Sequence, residues 1–179
     1  MSEVGLRIIP ATTADIPTLR NLIQFYVYDF SELWAGEMQG ELLPSGRFGE
    51  YFPLASFFER AGWRAFLLEI ADAPVGFALI NDDPHSGLPT DHSVAEFFVV
   101  RKHRTTGVGR EAAERLFRGS PGKWEAAVMR KNIGALAFWR RVVSACAVPG
   151  SVKELDFDND DWNGPILRFE IAPLDAARS

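Results

Sequence analysis

The chain has 179 residues, enough for one domain with a substantial core, and 47% hydrophobic with 24% charged residues is ordinary for a globular protein. A net charge of -5, from 19 Lys plus Arg against 24 Asp plus Glu, argues against general nucleic-acid binding, which needs a basic field. One cysteine, Cys146, allows neither an internal disulfide nor a thiolate metal site, and His85, His92 and His103 stand at no metal-ligand spacing, so no metal is expected.

The start, Met1-Ser2-Glu3-Val4-Gly5, has no basic stretch followed by an apolar run, and no apolar stretch is long enough to span a bilayer. A cytoplasmic protein without a membrane partner is therefore expected. Residues 6–9 read as a short strand closed by Pro10. Thr12, Thr13 and Asp15 suit the start of a helix, and Ile16, Leu19, Leu22, Ile23 and Tyr26 recur at helical spacing, which predicts an amphipathic helix over 13–29. The segment 29–54 mixes aromatics and acids with Gly36, Gly40, Pro44, Gly46 and Pro53. Loops of that length are uncommon unless functional or broken by short helices, so it is either an acceptor-side wall or a surface insertion.

Residues 63–70 and 75–80 form a predicted hairpin around a turn at 71–74, followed by a loop over 81–91. The run 94–100 is nearly all apolar, as in a buried central strand, and is interrupted by one acid, Glu96. A helix over 107–117, a strand over 124–129, a helix over 133–143 behind Asn132, and closing strands over 152–157 and 166–171 complete the order. A frayed tail is expected after Pro173. This is an α/β (α+β) arrangement of one mixed sheet with helices packed on it. The whole chain, 1–179, is expected to be a single domain with its core at about 6–171.

Between the central strand and the next helix runs Arg101-Lys102-His103-Arg104-Thr105-Thr106-Gly107-Val108-Gly109-Arg110. A helix start is an anion site, because its first N–H groups lack internal partners and the helix dipole is positive there. Gly107 and Gly109 let backbone approach a phosphate closely, and Arg101, Lys102, Arg104 and Arg110 reverse the sign of an otherwise acidic chain. The loop lacks the glycine–lysine–hydroxyl ending of a Walker sequence, and it does not follow the first strand as a dinucleotide fingerprint would.

Arg104-x-x-Gly107-x-Gly109 resembles the acetyl-CoA loop of the GNAT superfamily of N-acetyltransferases, written R/Q-x-x-G-x-G/A. Asn132-Ile133-Gly134-Ala135-Leu136-Ala137-Phe138-Trp139 resembles that superfamily's later N-x-x-A-x-x-F-Y helix, one strand downstream. The chain is thus similar to the bacterial-type acetyltransferases of the superfamily. The resemblance implies a mixed, mostly antiparallel sheet with helices on both faces. It also implies acetyl-CoA as co-substrate and a primary amine of a small molecule or peptide as acceptor. Many relatives dimerise, so a homodimer is left open.

By position, the resemblance places Phe98, Val99, Val100 and Arg101 along the pantetheine arm. Arg104, Thr105, Thr106, Gly107, Val108, Gly109 and Arg110 would surround the pyrophosphate, and Asn132, Phe138 and Trp139 would lie toward the far arm and thiol. It also implies a splay between the 94–100 and 124–129 strands that admits pantetheine.

An alkyl amine is mostly protonated at neutral pH, so a base must act on it. Glu96, the lone acid in the apolar strand, is the candidate; its other reading is a structural carboxylate paired with an arginine or backbone amide. The Val99 N–H is the candidate oxyanion donor. Where the family helix carries a tyrosine as acid, this chain has Trp139, whose indole cannot serve. Tyr26, Tyr28 or Tyr51 are the alternatives. Tyr26, Tyr28, Glu32 and Trp162 are the acceptor-side candidates, with Glu37 and Glu41 as further carriers of negative charge. His92 is a candidate proton relay, and the acidic run 154–161 reads as a solvated turn. The competing reading is a non-catalytic acyl-CoA-binding domain that keeps Arg104, Gly107 and Gly109 and dispenses with the acid–base set.

Overall fold

The structure is a computed structural model that describes residues 5–173; the expected frayed tail and the first four residues lie outside the described residues. The elements follow the expected order with one addition, the single-turn helix α2, which no periodicity announced: β1 (Arg7–Pro10), α1 (Ile16–Ser31), α2 (Ser56–Glu59), β2 (Arg64–Ile70), β3 (Ala73–Asn81), β4 (His92–Val99), α3 (Val108–Arg118), β5 (Gly122–Ala127), α4 (Ile133–Cys146), β6 (Lys153–Asp158) and β7 (Asn163–Ile171). The strands form one sheet in the order β1-β2-β3-β4-β5-β7-β6. Every neighbouring pair is antiparallel except β4–β5. No helix among the described residues is long and apolar enough to cross a membrane.

Local chemistry shifts several boundaries. The Asp15 carboxylate accepts the N–H of Thr12 at 2.7 Å and its hydroxyl at 2.9 Å, which stabilises a short 3-10 turn over Thr13–Asp15 before α1 begins. The β2–β3 turn is tighter than the expected 71–74. Ala71 and Asp72 alone make it, with φ of 52° and 59°, and β3 starts at once at Ala73. Two left-handed residues in succession match the twist of the flanking strands.

The sheet separates two apolar layers. On one face Leu67, Phe77, Leu79 and Phe98 pack against Leu19, Ile23 and Tyr26 of α1. On the other, Ile80, Val94, Trp124 and Leu167 pack against Ala113 and Phe117 of α3 and Val142 and Val143 of α4. Each Leu, Ile, Val and Phe side chain among them stabilises the fold by about 1.5–3 kcal/mol on burial. The segment 29–54 is anchored to the α1 side. Trp34 is buried, and Phe48 exchanges two hydrogen bonds with the Gln24 amide at 2.9 and 3.3 Å.

Two features of β4 open the middle of the sheet. Leu79 is opposite Glu96 but Ile80 is opposite Val94, so Ala95 is an extra residue, a β-bulge. Pairing with β5 covers His92, Ser93 and Val94 and then stops. A bulge bends its strand, and beyond Val94 the two parallel strands diverge.

The connection 82–91 is clamped from beneath. Glu125 of β5 is fully buried and accepts the Ser86 N–H at 3.1 Å, the Ser86 hydroxyl, and Nη1 of Arg168 at 3.2 Å. Arg168 also donates to Ser86 Oγ, Thr90 Oγ1 and the Pro89 carbonyl. Replacing Glu125 by Ala leaves the guanidinium without its carboxylate, so urea unfolding should show a loss of about 3–5 kcal/mol. A loss below about 1 kcal/mol would mean that water replaces the carboxylate.

Candidate active site

The divergence of β4 and β5 opens a cavity of about 470 Å³. Its walls come from β4 (Ala95, Glu96, Phe97), from β5 and the chain after it (Ala127, Val128, Met129) and from α4 (Asn132, Ala135, Trp139). The rest comes from Tyr26, Phe30, Trp34, Gln39 and Tyr51 on the α1 side, from His85, and from the β6–β7 turn. The segment 29–54 thus does supply a wall, through Phe30, Trp34, Gln39 and Tyr51.

Glu96 reaches this cavity because of the bulge. The extra residue Ala95 turns Glu96 onto the same face as Phe98, toward α1, where Tyr26 donates its hydroxyl to Glu96 Oε2. Burial pushes the Glu96 carboxyl up to about 8, with the Tyr26 hydrogen bond opposing the rise. The Tyr26 phenol is raised well above its ordinary range, first by burial and then by the Glu96 charge. The Tyr51 phenol is likewise raised by burial and by Glu96. Both phenols therefore keep their protons at neutral pH.

Farther along β4, Val100 donates its N–H to the Val75 carbonyl at 2.8 Å. By the alternation of an antiparallel ladder, the Val99 N–H points to the opposite edge, into the gap left by β5. The Val99 carbonyl accepts from Arg104 Nε at 2.7 Å, while its side chain is buried. Phe98 belongs to the α1-side core, beneath the Arg104 guanidinium at 5.4 Å.

The loop into α3 behaves as a backbone site more than a side-chain one. Arg101 and Arg104 both bond Asp29 of α1, Arg101 at 2.8 Å, and so are already paired. Arg110 faces Glu114 at 3.9 Å. Thr106 donates its hydroxyl to the His103 carbonyl at 2.7 Å, and Thr105 is left-handed with φ of 63°. Gly107, with φ of 93°, precedes α3 directly. The first-turn N–H groups of Val108, Gly109 and Arg110 then have no intrahelical acceptor. Gly109 faces Phe138 and Val99, which a Cβ there would meet at ordinary contact distances of 3.5 and 3.7 Å, so the helix start lies beside both.

Asn132 caps α4 by accepting the Ala135 N–H at 3.1 Å and also lines the cavity. Phe138 stacks on Phe97 at 6.0 Å, and Trp139 meets Phe97 edge-on at 5.3 Å, so Trp139 is a buried packing residue at the cavity wall.

Of the acceptor-side candidates, Tyr26 and Trp162 line the cavity, whereas Tyr28, 65% exposed, and Glu32 face solvent away from it. Glu37 is paired with Lys131 at 2.7 Å. His92 is no relay to Glu96: it faces Arg64 and the Pro121 carbonyl and packs at a tilt against Trp124 at the other end of β4. The acidic run is more than a solvated turn, since Asp160 and Asp161 stand on the cavity wall. His85, which no spacing in the sequence singled out, lines the cavity and packs at a tilt against Trp162, with ring centroids 4.2 Å apart; burial lowers its pKa and keeps the ring neutral at pH 7.

The groove fits coenzyme A: a gap in the sheet, a free strand N–H at its edge, and an open helix start beyond it. The raised Glu96 carboxyl also has a consequence for stability. A group whose pKa is higher folded than unfolded stabilises the fold below the unfolded value, and that contribution is lost as pH rises through the folded one. Wild-type protein should therefore lose stability as pH rises from the ordinary carboxyl value of 4.5 through about 8. Glu96→Gln should flatten that slope in chemical denaturation; an unchanged slope would mean that Glu96 titrates as an exposed acid.

The acetyltransferase (GNAT) family model matches residues 23–143. No curated protein matches the chain. Among solved structures, the chain is similar to an acetyltransferase from Thermus thermophilus, at 22% identity over 97% of this chain and 100% of that one, with a TM-score of 0.60. It is similar to a ribosomal-protein alanine N-acetyltransferase from Escherichia coli, at 16% identity over 94% and 95% of the two chains, with a TM-score of 0.54. A third, a streptothricin acetyltransferase by its description, from Bacillus anthracis in complex with acetyl coenzyme A, shares 11% identity over 94% and 99%, with a TM-score of 0.57. At such identities these likenesses speak for the fold, while the family match spans more than half of the chain. The chain therefore belongs to the acetyltransferase (GNAT) family and is an N-acetyltransferase that uses acetyl-CoA.

Proposed function

We propose that this enzyme moves the acetyl group of acetyl-CoA directly onto a primary amine of a small molecule or peptide within a ternary complex, with Glu96 as the base. The carrying observation is the position of Glu96. It is an enclosed carboxylate, hydrogen-bonded by Tyr26, in the gap between β4 and β5, with its pKa pushed up to about 8. A base is most effective when its pKa lies near the working pH, and a free alkyl amine, with a pKa of about 10.4, needs one. We read residues 1–179 as one domain of this type, with its core at about 6–171, acting in the cytoplasm.

In this reading the α3 N–H groups of Val108, Gly109 and Arg110, with Gly107, hold the pyrophosphate. Arg101 and Arg104, fixed by Asp29, shape the loop and add positive field at its base. Acetyl-CoA supplies an activated thioester. The Val99 N–H, directed into the gap, is the donor for the thioester carbonyl oxygen as negative charge develops there. Glu96 takes the proton of the attacking nitrogen, directly or through one water. Trp139 cannot protonate the departing sulfur. Tyr26 and Tyr51 are the two phenols lining the cavity, and a thiol with a pKa of about 8.5 leaves tolerably without full protonation.

Glu96→Gln should lower kcat by about a hundredfold or more. Its acetyl-CoA affinity by calorimetry should stay within about twofold. Unchanged turnover would remove Glu96 as the base. In wild type, kcat/KM should rise with pH to a plateau through an inflection near 8, because the deprotonated carboxylate is the active form. Gly107→Val forces a β-branched residue to a φ of 93° and should weaken acetyl-CoA binding by about tenfold or more. Tight binding by that variant would mean that the loop is not the pyrophosphate site.

A further inference from the structure

By its sequence the loop before α3 is strongly basic: Arg101, Lys102, Arg104 and Arg110 stand within ten residues. In the fold most of that charge is already met. Arg110 lies 3.9 Å from Glu114, and Asp29 of α1 holds both Arg101 and Arg104. The Asp29 side chain is only 16% exposed. Its Oδ1 accepts from Arg101 Nε at 2.9 Å and Nη2 at 2.8 Å, and its Oδ2 accepts from Arg104 Nη2. Arg104 is fixed at a second point, where Nε donates to the Val99 carbonyl at 2.7 Å. The hydrogen bond and charge of Asp29, and then the charge of Glu32 at the end of α1, raise the Arg101 pKa above its ordinary value.

A guanidinium held by a carboxylate turns to a phosphate only by giving up that pair, and the carboxylate itself repels an anion bound beside it. The pyrophosphate is thereby left mainly to the backbone N–H groups at the start of α3. That limit has a use. Acetyl-CoA and the product coenzyme A carry the same phosphates, so every added contact there holds substrate and product alike. Binding that is uniform along the reaction does not speed the chemical step, and at the product it slows release.

We propose that Asp29 is a positioning residue that restrains the affinity of the loop for coenzyme A: it draws Arg101 and Arg104 away from the phosphates and so keeps the product free to leave. This rests on the reading that the loop holds the pyrophosphate. Removing the charge at position 29 frees two guanidiniums and takes away a repulsive carboxylate at once. Both changes favour the bound anion, and both act through a field that salt screens.

The test is calorimetric titration of the full chain, at low and at high salt, with coenzyme A and with pantetheine, the same arm without the nucleotide and its phosphates. Asp29→Asn keeps the shape of the side chain and one acceptor oxygen but not the charge. At low salt it should bind coenzyme A about fivefold more tightly than wild type, with pantetheine affinity within about twofold, and the gain should shrink at high salt. Stopped-flow displacement should show coenzyme A leaving the variant correspondingly more slowly. The double variant Asp29→Asn, Arg101→Gln restores the net charge of the loop and should return coenzyme A affinity to within about twofold of wild type. Glu32→Gln, at an exposed position that carries no packing, should give a smaller gain in the same direction. Unchanged or weaker coenzyme A binding in Asp29→Asn that melts like wild type would overturn the proposal. So would a gain that survives the second substitution or high salt, or, should Asn at position 29 unfold the chain, no gain in Glu32→Gln. Wild-type protein that binds coenzyme A no more tightly than pantetheine would remove the pyrophosphate reading and this inference with it. Coenzyme A preferred over pantetheine, with no gain in Asp29→Asn, would remove the role of Asp29 alone.

Discussion

The extra residue at Ala95 and the end of β4–β5 pairing at Val94 are the constraint on which the site depends. Parallel neighbours in a continuous sheet would satisfy each other's backbone groups and leave no space between them. Here pairing covers three residues and stops. The bulge does two things at once. It bends β4 away from β5, opening a cavity in the middle of a sheet, and it reverses the facing of every later side chain. Glu96 consequently lies on the α1 face beside Tyr26, and Phe97 lies on the α4 face beside Phe138 and Trp139.

Around that gap the molecule separates its charges. The basic loop is drawn onto α1 by Asp29, which bonds both Arg101 and Arg104. The same helix carries Tyr26, so the start of α3 and the partner of Glu96 are located by one rigid element. The free anion-binding groups of the loop are backbone N–H groups, which hold their direction without side-chain entropy. On the other side, the buried Glu125–Arg168 pair clamps the connection that carries His85 against β5 and β7. A buried ion pair is a weak source of net stability but a strong constraint on geometry, since breaking it strands a charge. His85 and Trp162, in contact with ring centroids 4.2 Å apart, form the wall that results.

Trp139 shows how packing and chemistry share one helix. It stands where the related helix carries a tyrosine, and it is buried among Phe97, Phe117 and Phe138. Indole fills that position with more apolar area and no proton to give. Phenols are present in the cavity nonetheless, on α1 and in the segment after it, and burial keeps both protonated.

The local pattern by itself determined the strands, the three longer helices and their order, though not the single-turn α2, together with the basic glycine loop before α3 and the capped helix behind Asn132. Those rest on short-range rules: period of apolar residues, cap chemistry, and glycine where the backbone must be left-handed. It also marked Glu96, because one acid in an apolar run is visible without a fold. Only the tertiary structure decided which face Glu96 takes, since a continuous apolar strand carries no alternation from which to read a bulge. Likewise, Asp29 binds guanidinium groups that the loop alone would offer to a ligand, and Tyr28 and Glu32 lie on the side of α1 away from the cavity. His85, Asp160 and Asp161 became cavity residues through contacts between strands distant in sequence. Each of those outcomes depends on pairing between segments tens of residues apart, and no local spacing encodes it.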